Sequence, residues 1–176
     1  VDRITITTGT LTVAGSVIMN AANLASISAL QSQIVMSGGA GTLNVGGAFT
    51  VNVAGTITPG TAGSTVNFNG SAAQTIPIGV SSVTYNNLTA NNTSSAGATL
   101  SAAVTSSRVT GNMSVAAGTL DNGGFAVAGA SGKSLSVASG AKLRLGGTSA
   151  FPTGFTTTLD AASTVETTND RPPDDR

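Results

Sequence analysis

Thr42-Leu43-Asn44-Val45-Gly46-Gly47-Ala48-Phe49-Thr50-Val51-Asn52-Val53 holds two short segments of alternating apolar and polar residues, hinged on a pair of glycines. A period of two puts Leu43 and Val45, then Phe49, Val51 and Val53, on one side of an extended chain, with Thr and Asn on the other. This is the pattern of a half-buried strand. Gly46-Gly47 supplies the corner, because a sharp change of direction between short strands needs positive φ or close backbone approach. The same unit recurs at Ile4-Thr5-Ile6-Thr7, Thr10-Leu11-Thr12-Val13, Thr65-Val66-Asn67-Phe68, Ser134-Leu135-Ser136-Val137 and Lys142-Leu143-Arg144-Leu145.

Gly-Thr-Leu opens three of these units, at Gly9, Gly41 and Gly118, but at unequal spacings, so there is no strict short repeat. A longer echo returns Ser64-Thr65-Val66 as Ser163-Thr164-Val165. Many short strands with few aromatic residues and small apolar interiors predict an all-β chain folded as a parallel β-solenoid, with about seven or eight turns of about 20 to 25 residues. The alternative is an antiparallel β-sandwich, which uses the same alternation. The expected division is a repeat domain over 1–166 and a polar, Pro-containing tail or linker over 167–176, where six of the fourteen charges fall in the last eleven residues. That tail reads as a solvated terminus or as a docking strap. Val17 to Met36 fits the strand pattern less well: Leu24, Ile27, Leu30 and Ile34 have helical spacing, but the Ser, Asn and β-branched residues around them favour a turn or loop over a capping helix.

Composition restricts the chemistry. The 176 residues include 27 Thr, 23 Gly, 21 Ser and 13 Asn but no His and no Cys, and from Ile4 to Ser107 there is no charged side chain. A neutral chain that is 40% apolar should fold rather than stay open. Seven basic residues balanced by seven acidic ones offer no stripe for a nucleic acid. The run from Val17 to Met36 is too interrupted to insert in a membrane.

Without His or Cys, Ser-His catalysis and thiol chemistry are excluded. A glycosidase would have to use Asp121 and Asp160, the only acids between Ile4 and Val165, which read more simply as turn and loop residues. A polysaccharide lyase could draw a base from Arg108, Lys133, Lys142 or Arg144 but lacks the acidic cluster for calcium. No catalytic, cofactor-binding or metal-ligating residue is therefore assigned, no cofactor is expected, and the chain is read as not an enzyme.

Other surface readings are weighed in the same way. Thr-x-Thr at Thr5, Thr10, Thr56 and Thr156 invites a flat, water-ordering Thr ladder, but the motifs do not recur at one turn period, and strands favour Thr regardless. Carbohydrate stacking needs exposed rings, and Tyr85 beside Asn86-Asn87 is the best candidate, with Phe49, Phe68, Phe125, Phe151 and Phe155 read mostly as core. Asn69, Asn87, Asn91, Asn92 and Asn112 lie in glycosylation sequons that arise readily in so Asn- and Thr-rich a chain. Outward Thr positions such as Thr12, Thr50 and Thr84 are expected to pack against neighbouring modules.

The stretch containing Phe68-Asn69-Gly70, Gln74-Thr75-Ile76 and Tyr85-Asn86-Asn87-Leu88 resembles a module of large bacterial secreted repeat proteins, of the filamentous-haemagglutinin-like and autotransporter-passenger kind. The resemblance implies an exported, non-catalytic β-solenoid. Extracellular or cell-surface location follows from it as an expectation. So do two functions: a structural module of a self-associating fibre, or an adhesin or spacer that binds a glycan or host surface.

Overall fold

A computed structural model describes residues 3–19, 32–51, 55–60, 63–80, 82–147 and 150–168. It is all-β, and every strand pairing in it is parallel. The chain is a β-solenoid of about six turns. The antiparallel sandwich is thereby corrected: alternation fixes which residues face inward but is blind to strand direction, and the Gly corners here carry the chain around a coil rather than back on itself.

Each turn contributes to three stacks of strands. The first stack has seven: β2 (Thr10–Val13), β5 (Thr42–Val45), β8 (Thr65–Phe68), β10 (Asn87–Asn92), β12 (Met113–Asp121), β13 (Ala128–Val137) and β15 (Thr153–Leu159). The second holds β3 (Val17–Met19) against β6 (Phe49–Val51), then β9 (Gln74–Ile76), β11 (Ala98–Leu100), the far half of β12, β14 (Lys142–Gly146) and β16 (Thr164–Thr168). The third holds β1 (Arg3–Thr5), β4 (Gln33–Val35) and β7 (Thr56–Thr58), and continues as single bridges such as Ile57 to Val83 and Tyr85 to Val109.

Register gives the turn length. Leu11, Leu43, Val66, Leu88, Met113, Leu135 and Thr157 stack in one column, so successive turns advance by 32, 23, 22, 25, 22 and 22 residues. The long first step contains residues 20–31, so Leu24, Ile27 and Leu30 of the helical-spacing segment lie outside the described residues. Its flanks are strands: Ile34, the fourth member of that spacing, is buried in β4. At the other end β16 runs to Thr168, and residues 169–176 with the charged tail are outside the described set.

The interior is a continuous apolar column. Leu43, Val45, Val66, Phe68, Leu88, Met113, Val115 and Leu135 are all buried, each such side chain stabilising the fold by about 1.5–3 kcal/mol. Part of it is aromatic: Phe49 and Phe68 have centroids 5.9 Å apart, and Phe68 meets Tyr85 edge-on at 6.5 Å. Gly118 lets β12 serve two stacks. Its φ is +64°, and it sits so close to the turn below that a Cβ would lie 1.8 Å from the Asn92 carbonyl oxygen.

Candidate functional site

The segments behind the family resemblance form an internal lock. Gln74 is buried, and its Oε1 accepts from the Gly70 amide at 2.9 Å and from Asn92 Nδ2 at 2.8 Å. Its Nε2 donates to the carbonyls of Val45 and Gly47, one turn away, at 2.8 and 2.7 Å. Asn92, also buried, donates in addition to Ala72 O. Two buried amides thus bond backbone groups at the corners, among them the Gly70 amide and the Gly47 and Ala72 carbonyls.

Tyr85 is a correction. Its polar neighbours make it the best candidate for an exposed stacking ring, but it is fully buried, and its hydroxyl donates to Pro77 O at 2.9 Å. Burial holds that hydroxyl far above the ordinary phenol range. Asn86 and Asn87 do face outward beside it, yet both are committed: Asn86 Nδ2 bonds Thr110 Oγ1, Asn87 Nδ2 bonds Gly63 O, and Asn87 Oδ1 accepts from the Asn112 backbone amide. Among the sequon asparagines Asn92 is buried and Asn112 exposed. Phe49 and Phe68 are core as expected, Phe155 packs partly against it, and Phe125 and Phe151 are exposed.

Three of the charged candidates, Asp121, Lys142 and Arg144, assemble on the second stack with Glu166. Register places Asp121, Arg144 and Glu166 one above the other. Arg144 bridges Asp121 at 3.5 Å and Glu166 at 3.4 Å, and Lys142 reaches Glu166 at 3.1 Å. The hydrogen bond and charge of Lys142, with Arg144 behind it, hold the Glu166 carboxyl below its ordinary value. Asp160 stands at the end of the first stack, so the structure does not bring it to Asp121. Arg108 is turned to the carbonyls of Val80 and Val83, and Lys133 lies in register with Phe155.

The outer face of the first stack is different. Its outward positions, turn by turn, are Thr10 and Thr12, Thr42 and Asn44, Thr65 and Asn67, Asn87 and Thr89, Asn112 and Ser114, Ser134 and Ser136, Thr156 and Thr158. All fourteen carry a hydroxyl or a carboxamide; none is charged and none is apolar. Within the second column three successive turns are tied, Asn44 Nδ2 donating to Thr12 Oγ1 at 3.1 Å and Asn67 Nδ2 to Asn44 Oδ1 at 2.9 Å. The register shift in β10 falls between Ala90 and Asn91, just beyond the columns.

Thr10 and Thr156 of the Thr-x-Thr motifs therefore meet on one face, while Thr5 and Thr56 belong to the third stack. Sequence spacing concealed the array because turns differ in length and Asn and Ser replace Thr in the middle turns. Of the three positions expected to pack laterally, Thr12 and Thr50 are exposed and Thr84 is half-buried. Compared with known proteins, the chain matches no family model, no curated protein and no solved structure.

Proposed function

We propose that the chain is a non-enzymatic structural module of an extracellular or cell-surface fibre, joined to neighbouring turns through its stacked strands. The observation that carries this is the state of the core columns at their ends. Ile4 continues the column of Ile34 and Ile57, and Leu159 that of Val115 and Val137. The inner members are at most 3% exposed, yet Ile4 is 50% and Leu159 47% exposed. Among the described residues no strand pairs beyond β2 or β15 in the first stack. Uncovered apolar side chains beside open strand edges are what a further parallel turn would cover, whether from a second copy or from more chain. The charge-free stretch and the resemblance to secreted repeat modules support an extracellular setting.

The adhesin reading has one observation in its favour. Phe125 and Phe151 are exposed rings on corners of successive turns, the kind of group on which a sugar ring stacks.

Electron microscopy of the purified chain separates the two. Uniform filaments are expected from the parent, and Ile4→Lys and Leu159→Lys should each stop growth by burying an unpaired charge at the joint. A parent that stays monomeric at high concentration overturns the fibre. If that monomer binds a glycan array and loses binding in Phe125→Ala, it is an adhesin.

A further inference from the structure

The outer face of the first stack is a fixed two-dimensional lattice of polar groups. Adjacent strands set one spacing of about 4.8 Å, and residues i and i+2 set the other at about 6.7 Å, so seven strands span about 30 Å along the solenoid. Uninterrupted register through both columns keeps the lattice in phase from Thr10 to Thr158. Side-chain bonds hold Thr12, Asn44 and Asn67, and Asn87 and Asn112 bond neighbouring backbone, so at these five positions little side-chain freedom remains to be lost on binding.

The kind of ligand follows from what the face contains and what it leaves out. It has no aromatic ring to stack a sugar. It has no apolar centre of the kind that holds two protein surfaces together. A charged side chain would hold its own tightly oriented water shell, and the chain places its ion pairs on the second stack instead. Hydroxyls and carboxamides both donate and accept, as water does, and can therefore stand in for molecules of a water lattice.

We propose that this face binds crystalline water: the two columns are an ice-binding surface. The inference does not rest on the fibre reading, because it concerns the side of the solenoid and not its ends. The test is freezing hysteresis and ice-crystal shaping by monomer isolated by gel filtration. Three variants are compared, each checked for native circular dichroism: Thr89→Lys and Ser136→Lys, the fourth and sixth members of one column, and Thr75→Lys, exposed on the second stack. The parent and Thr75→Lys should shape crystals and show hysteresis, and the two column variants should lose both. If one column variant fails to fold, the other still decides. Absence of hysteresis and shaping in the parent overturns the proposal, as does equal loss in Thr75→Lys or retention in the column variants.

Discussion

Gln74 shows how a single side chain can join two turns in a narrow coil. It satisfies a donor in its own corner, two carbonyls of the preceding turn and the amide of Asn92, all buried except the half-buried bond to Gly47 O. Leucine of similar volume would keep the packing but leave the Gly70 amide and the Gly47 carbonyl without this partner, while Val45 O keeps Asn69 N and Asn92 keeps Ala72 O. Gln74→Leu should therefore cost about 3–5 kcal/mol, read as a lowered urea midpoint with an unchanged slope. A loss below about 1 kcal/mol would mean that water takes over the lock. None of this was legible beforehand: Gln and Asn read as surface residues, and nothing local tells a buried amide facing bare carbonyls from one facing water. Tyr85 misled for the same reason, since its neighbours Asn86 and Asn87 are outward while the ring itself turns in to Phe68.

At the scale of strands, Thr10–Val13, Thr42–Val45 and Thr65–Phe68 form with the bounds that their alternation predicts, because Leu, Val and Phe mark the inward face clearly. β10, β12 and β15 were harder to see. Asn lies both outward (Asn87) and buried (Asn92) in β10, Ala116-Ala117-Gly118 interrupts β12, and Thr156-Thr157-Thr158 fills both faces of β15, so the period of two fades although the backbone ladder persists. Gly118 in β12 is the position where backbone decides most. A side chain would be strained at this left-handed φ and would drive its Cβ into the Asn92 carbonyl, so Gly118→Ala should destabilise by on the order of 3 kcal/mol. The loss should be greatest in hydrogen exchange at Ala117–Leu120 and Asn91–Thr93. If those amides stay as protected as in the parent, the bend has other support.

Across the whole molecule, charge is unevenly placed along the axis. The described ion pairs link only β12, β14 and β16, whereas β4 to β11 contain no charged residue. In a solenoid each turn stabilises mainly its neighbours, so a perturbation of charge should act on the turns that carry it and fade along the stack. These pairs are partly exposed and individually weak, so salt should change overall stability little. Acid should act locally. Glu166 is held below its ordinary pKa by Lys142 first and Arg144 second, so its contribution is fully present above the ordinary carboxylate range. It is lost as pH falls through the lowered value. Hydrogen exchange, corrected for its intrinsic pH dependence, should therefore show β14 and β16 opening in acid while β5, β8 and β10 keep their protection. Glu166→Gln should make β14 and β16 insensitive to that pH range and leave the earlier turns unchanged. Uniform loss of protection along all turns would show that the solenoid opens as one cooperative unit, and that the placement of charge does not govern where it begins.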